Sequence, residues 1–273
     1  MITETKLLIA DDWDDYALLD SGHLMKLERF GSQTVIRPDP QAFWEPARPL
    51  DSWKADAIFA SKTSDEDGGG QWEIRSPRAA EAWPMRWNGL TFTARRTAFR
   101  HMGVFQEHSV HWRFAQDHIR AANRPVKVLN LFGYTGMMSL ACAAAGAEVT
   151  HLDASPKSNA YGKENQGLSG LAGKPIRWIA DDAMKFVPKN ETWRFEEDLP
   201  PLLDNIRELL SDTPLFVIAT AYAVRLSYLA LSQTLADRLS PLGGVMEQGE
   251  MALPQQGSDR LLPTALYARW RAA

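Results

Sequence analysis

Cysteine is almost missing from this chain: one residue in 273, Cys142, lies inside an Ala-rich stretch. Within one chain that excludes a disulfide framework and a cysteine metal site, and no metal is expected. Long apolar runs are missing too. None approaches the ~20 residues that span a bilayer, and mean hydropathy is −0.31. The opening stretch, Met1 to Asp15, has one Lys, a short apolar patch and then acids. It lacks the basic-then-apolar order of a secretory signal. A soluble cytoplasmic protein with no membrane partner is the expectation. Excess positive charge is also lacking: 30 Lys and Arg stand against 34 Asp and Glu, a net charge of −4. The whole-molecule field therefore does not advertise nucleic-acid binding. The charge is uneven, however. Met85 to His101 carries Arg86, Arg95, Arg96 and Arg100 and no acid. Arg95 and Arg96 are candidate substrate contacts there, against the plainer reading of a strand pair with a solvated basic face.

With 45% hydrophobic residues, the chain can form one large domain or a core domain with a smaller module. Residues 1–100 read as a small, mainly β module. Short apolar runs are punctuated by Gly and Pro, and Asn88-Gly89 sits between strand formers, a hairpin signal. Ser109 to Ala122 reads as a helix leading into a main domain, residues 101–273. From Val126 the pattern alternates strand and helix. "VKVLNLF" is apolar on nearly every residue, which suits a strand buried on both faces. "EVTHLDA" and "KPIRWIADD" are further strands, with a helix between them capped by Ser155 with Pro156 at its first position. Such alternation predicts a doubly wound, mostly parallel α/β sheet, Rossmann-like, with "LLPTALYARW" antiparallel near the C-terminus.

The first strand of that domain runs into a turn that opens a helix, and the second ends in Asp153. Ligands of open α/β sheets bind beyond the carboxyl ends of the strands. Small residues at Gly133 and Gly136 are expected to let the backbone approach such a ligand. A carboxylate at Asp153 can accept both hydroxyls of a ribose. At the end of the third strand, Asp182 can accept from an adenine amino group and the Ala183 N–H can meet a ring nitrogen. The third glycine of a dinucleotide site, G-x-G-x-x-G, is missing from "FGYTGMM", and Tyr134 would crowd a pyrophosphate. An NAD-dependent oxidoreductase is thereby disfavoured. An ordinary βαβ unit with an incidental Asp is the plain alternative.

At these residues the chain resembles a family. "VLNLFGYTG", "HLDASPKSNAYGKENQGLSGL" and "WIADDAMKFV" resemble motifs I to III of class I S-adenosylmethionine-dependent methyltransferases, in the group related to the bacterial 23S ribosomal RNA cytosine-C5 methyltransferase. "HMGVFQEHSVHW" resembles that group's G-x-F-x-[DE]-Q segment. The resemblance implies S-adenosyl-L-methionine as cofactor, with RNA as the partner and ribosomal or other RNA bases as substrate. Asn130, Phe132, Tyr134, Thr135 and Gly136 would line its methionine and ribose part. Asp153, Ala154 and Ser155 would hold the ribose and one adenine face, and Asp182 and Ala183 the adenine edge. Phe105, Gln106 and Glu107 would cover the methionine end, and His108 departs from the family's Gln. A homodimer is the other partner considered.

What the family has and this chain lacks is a fourth strand ending in Asp-Pro-Pro-Lys-Phe. No apolar strand lies between Val187 and Phe195. Either the strand is truly absent, or the chain is a subset of a longer one in which Pro188-Lys189 is a remnant. The second reading predicts a break between Val187 and Trp193. Without that loop the catalytic residues stay unknown. Cytosine C5 normally needs a Cys to add at C6, and Cys142 reads better as a small core residue. Transfer to a nitrogen is as reasonable. Thr220 and Tyr222 end the strand "FVIATAY" and are candidate substrate contacts. A non-catalytic RNA-binding protein with the same fold is the alternative from another class.

Overall fold

The structure, a computed structural model, describes residues 1–61, 69–183, 194–222 and 225–273. Two short strands open the chain, β1 (Ile2–Thr5) and β2 (Leu8–Ile9). A meander follows: β3 (Tyr16–Gly22), β4 (Met25–Phe30), β5 (Gln33–Pro38), β6 (Ala57–Ser61) and β7 (Gly70–Ile74). These five form one sheet, antiparallel except for the β5–β6 pair. Next comes a hairpin, β8 (Ala82–Trp87) and β9 (Leu90–Arg95), buried on every second residue as a half-buried strand pair must be. Its turn is the expected Asn-Gly. Asn88 and Gly89 both take positive φ, 44° and 82°, the geometry whose twist matches the flanking strands.

Helix α1 (Ser109–Ala121) then leads into β10 (Lys127–Leu131), α2 (Met137–Ala144), β11 (Glu148–Asp153), α3 (Pro156–Leu168) and β12 (Ile176–Ala180). The chain continues with α4 (Phe195–Leu209), β13 (Phe216–Ala221), α5 (Tyr228–Leu239), β14 (Val245–Pro254) and β15 (Leu261–Arg271). Strands β10, β11 and β12 are parallel neighbours in that order. β15 runs antiparallel to both β13 and β14, as the sequence predicts. α3 starts as expected, with the Ser155 hydroxyl accepting from the Ser158 N–H and Pro156 at its first position.

Three features depart from the sequence reading. First, β1 and β2 pair in parallel with β14, so the first nine residues belong to the C-terminal sheet. Second, one core runs through both parts of the chain. Trp13, Phe30, Trp87 and Phe92 from before residue 100 pack in the same cluster as Trp112 and Leu140 from after it. Third, β10 is not buried on both faces: Leu129 is 44% exposed. Among the described residues β10 has no neighbour on its outer edge, and the β1–β14–β15–β13 sheet stands apart from the β10–β11–β12 sheet. α1 links the two. Ala115 and Ile119 share a cluster with Val126, against which Phe216 packs, and Arg124 donates to the Thr213 carbonyl at 2.6 Å. The break expected between Val187 and Trp193 lies outside the described residues, as does Pro188-Lys189. Among the described residues no helix is long and apolar enough to cross a membrane.

Candidate functional site

The turn after β10 is wound through the left-handed region at alternate residues: Phe132 at φ 52°, Tyr134 at 50° and Gly136 at 86°. For the two aromatic residues this costs roughly 1–2 kcal/mol each, so something must hold it. Three hydrogen bonds do. Gly133 N–H donates to the Leu152 carbonyl at 3.1 Å and Gly136 N–H to the Gly133 carbonyl at 3.0 Å. Tyr134 N–H donates to Asp153 Oδ2 at 2.8 Å. The other Asp153 oxygen accepts from Ser155 N–H, also at 2.8 Å. A carboxylate has about four acceptor positions. Asp153 thus staples the turn with two and keeps two for a ligand.

The glycines have a packing reason beside the one the sequence suggests. A Cβ on Gly133 would meet the His151 ring at 2.3 Å, and one on Gly136 would meet the Trp178 ring at 2.6 Å. A Cβ on Gly162 of α3 would meet the same indole at 2.3 Å. Close packing on rings from β11 and β12 demands these glycines, whether or not a ligand also approaches. His151 is itself fixed. Asn130 donates to the Ser139 hydroxyl at 2.9 Å, and that hydroxyl lies 2.9 Å from His151 Nδ1. Burial outweighs the Asp153 charge and pushes the His151 pKa down to about 4, so the ring is neutral; the Ser139 hydroxyl, which accepts from Asn130, has its own proton to donate to a lone pair at Nδ1. Gly133→Ala is expected to destabilise the protein by about 1–3 kcal/mol, the usual range for overpacking. Adding His151→Ala should recover part of that loss. Denaturant midpoints of the two single variants and the double variant check it, and strictly additive losses would assign Gly133 to ligand approach instead.

The other predicted residues divide. Phe132 is 57% exposed and Ala154 is exposed at the rim of the same turn. Asp182 and Ala183 follow β12 at the same sheet edge, both part-buried, with Asp182 N–H on the Asp181 carboxylate at 2.9 Å. Thr135 is buried and turned away: its hydroxyl donates to the Gly103 carbonyl at 2.7 Å, tying the turn to the segment before α1. Gln106 is buried too, its amide 3.5 Å from both the Tyr16 hydroxyl and Glu28 in the small module. Phe105 and Glu107 do converge on the site. The Phe105 ring lies 5.4 Å from the rings of both Tyr134 and Tyr222, and Glu107 accepts from the Tyr222 hydroxyl at 2.9 Å. Thr220 is part-buried one residue before the end of β13. Arg95 is engaged by both oxygens of Glu164 and lies over the Tyr161 ring at 4.3 Å. Arg96 donates to the Ala80 carbonyl at 2.7 Å.

Sequence reasoning passed over His151 and Trp178, the floor of the turn, and the pairing of His108 with Tyr222. Both floor residues stand two positions before the ends of their strands, a place that points at a turn crossing above. Nothing in the sequence joins residues 108 and 222, which are 114 positions apart. Burial pushes the Tyr134 hydroxyl up to about 12, so it is a neutral donor. Among the described residues no group of His, Cys, Asp and Glu could hold a metal ion.

The donor set fits a nucleoside carrying a sulfonium. Asp153 has acceptor positions for a ribose diol. "FGYTGMM" has no Lys or Arg to meet a pyrophosphate, and the aromatic faces beside Glu107 suit a cation.

No family model matches the chain. Over its whole length the chain is similar to a solved SAM-dependent methyltransferase from Agrobacterium tumefaciens, at 40% identity and TM-score 0.91, covering 95% of that protein. A putative SAM-dependent methyltransferase from Streptococcus mutans shares the fold at TM-score 0.68 and 14% identity, over 95% of this chain and 76% of that one. Among curated proteins, the ribosomal RNA large subunit methyltransferase K/L of Shewanella frigidimarina is 29% identical over 157 residues, 56% of this chain. The chain spans about a fifth of the length of the curated relatives it matches. With 40% identity to a solved member along its full length and the stapled turn at the sheet edge, the chain belongs to the S-adenosylmethionine-dependent methyltransferases.

Proposed function

We propose that this protein binds S-adenosylmethionine at the carboxyl ends of β10 and β11 and transfers its methyl group to a base of RNA, ribosomal RNA being the first candidate. The observation that carries the cofactor reading is Asp153, whose two oxygens each hold one backbone N–H and keep room for a ribose. In this reading Phe132 and Ala154 face the nucleoside, Asp182 and Ala183 its base, and Phe105 and Glu107 the methionine end. Thr135, Gln106, Arg95 and Arg96 position the surrounding segments. The bound cofactor supplies an electrophilic methyl group. The chain's own part is to orient it, since in-line positioning supplies much of the rate of a displacement. The RNA reading is supported by similarity to proteins named for ribosomal RNA methylation.

Among the described residues the outer edge of β10 is unpaired and Leu129 is exposed, which favours a second reading, a protein that holds the cofactor and transfers nothing. Calorimetry with S-adenosylhomocysteine and transfer of labelled methyl groups to bulk RNA from a strain lacking the gene separate the two. Binding with transfer is expected. Binding without transfer would select the second reading, and no binding would reject both.

A further inference from the structure

Beside the turn lies a chain of buried acid, part-buried phenol and part-buried imidazole that cofactor binding does not need. Glu107 is 5% exposed and sits in the short 3-10 turn Gln106–His108 that precedes α1. Its Oε1 accepts from the Tyr222 hydroxyl at 2.9 Å. The same hydroxyl lies 2.5 Å from His108 Nε2, and the two rings are stacked, 7° from parallel. A phenol has one proton. If Tyr222 gives it to Glu107, its oxygen must accept from Nε2–H, and the lone pair of His108 is then at Nδ1. Phe105 touches His108, Tyr134 and Tyr222 in turn, so this chain borders the turn that would hold the methyl donor.

Resting on the methyl-transfer reading, we propose that His108, Tyr222 and Glu107 form a proton relay in which His108 is the base for a nucleophile that carries its own proton, such as an exocyclic amino group of a nucleobase. The substrate nitrogen forms its bond to the methyl carbon as the sulfonium C–S bond breaks, its electron pair staying on sulfur. The nitrogen's surplus proton goes to His108 Nδ1. The Nε2 proton passes to the Tyr222 oxygen, and the Tyr222 proton passes to Glu107. The sulfonium's positive charge and the Glu107 negative charge are both gone at the end. Products are a neutral thioether, a neutral methylated amine and a neutral carboxylic acid.

The surroundings explain why three groups are used instead of one. Burial pushes the His108 pKa down to about 4 and holds that of His111, the next ring along α1, well below its usual value. A charged imidazole is therefore poorly tolerated. Burial raises the Glu107 pKa against the opposing pull of a backbone N–H, the Lys26 charge, the Tyr222 hydrogen bond and the Arg37 charge, which eases proton uptake by the carboxylate. His111 cannot take over the role. It is fully buried and neither of its ring nitrogens has a partner, and it packs edge-on against His108 and Tyr267. Other groups facing the relay are His101, 5.0 Å from the Phe105 ring, and Arg269, whose charge also lowers His111.

The test has two arms. The first is ¹⁵N NMR of histidine-labelled full-length protein with S-adenosylhomocysteine. His108 should show the Nε2–H tautomer and stay neutral down to about pH 5, and Tyr222→Phe should release that tautomer. An Nδ1–H tautomer, or titration near the ordinary histidine value, would overturn the relay. The second arm is methyl transfer to bulk RNA. His108→Gln and Tyr222→Phe should lower kcat by about 10²–10³-fold, within the range for general bases. KM for the cofactor should stay put, and the acid limb of the kcat–pH profile should disappear in His108→Gln. Wild-type rates in His108→Gln would overturn the catalytic role. Cofactor binding by the wild type with no transfer to any RNA would sink the RNA reading and the base with it, whatever the tautomer shows.

Discussion

Arg37→Ala should destabilise this protein by about 3–5 kcal/mol, the range for removing one partner of a buried ion pair. Glu28 is fully buried and Arg37 is 5% exposed. Two parallel bonds of 2.8 Å join them. Arg37 also donates to the Arg100 carbonyl at 2.8 Å, and Tyr16 donates to Glu28 at 2.9 Å. Removing Arg37 strands a carboxylate that only Lys26, at 3.8 Å, then neutralises. Replacing both partners by apolar residues, Glu28→Leu with Arg37→Met, should cost much less, because no charge is left behind.

The pH dependence follows with a definite sign. Burial raises the Glu28 pKa, but the Arg37 and Lys26 charges and its hydrogen bonds outweigh burial and hold it below the usual carboxylate range. A carboxyl lowered in the folded state contributes stability above its unfolded value, and the contribution fades as pH falls through the folded value. In Arg37→Ala burial should win and the Glu28 pKa should rise, so its deficit against wild type should be largest near pH 7 and narrow towards about pH 4. Urea midpoints at both pH values measure this. A deficit independent of pH would mean that lost packing over Phe30, 5.1 Å from the guanidinium, matters more than charge. The effect should also reach the candidate site, since Gln106 bridges to Glu28 one residue from Glu107.

Local patterns in the sequence carried most of the fold. The Asn88-Gly89 hairpin, the Ser155–Pro156 helix start and the alternation from β10 to β13 each depend on residues close together in the chain. What escaped depends on residues far apart. Nothing in "ITET" announces a partner at Val245–Gln248. Nothing in "FQEH" says that Gln106 turns into the small module while Glu107 turns towards Tyr222. The glycines are the sharpest case: their positions were legible, but their packing against the His151 and Trp178 rings was not, because only register in the sheet brings those rings beneath them. Asp153 could be proposed from the sequence because one residue at a strand end can be assigned a task without knowing its neighbours. Among the described residues β10 and β13 lie in different sheets, at the place where the sequence offers no apolar run for a strand between them.

Asp153→Ala should lower affinity for S-adenosylhomocysteine by about 2–4 kcal/mol, since hydrogen bonds to a charged acceptor are worth ~1.5–3 each before non-additivity. That is roughly 30- to 1,000-fold at 1.4 kcal/mol per tenfold. The same change also frees the N–H groups of Tyr134 and Ser155, so stability should fall by about 1–2 kcal/mol. A loosened turn could by itself weaken binding, and affinity of one variant cannot tell this from a lost ribose contact. A second cycle can. The 2′-deoxy analogue of S-adenosylhomocysteine removes one ribose hydroxyl without touching the turn. If Asp153 accepts that hydroxyl, the analogue should bind wild type about tenfold or more weaker, and Asp153→Ala should barely distinguish the two ligands. If the aspartate only staples the turn, the analogue's loss should be the same in both proteins. Asp153→Asn should fall between them, because one amide oxygen still accepts a backbone N–H while the amide nitrogen can accept nothing. Equal affinity of wild type and Asp153→Ala for S-adenosylhomocysteine would remove Asp153 from the cofactor site altogether.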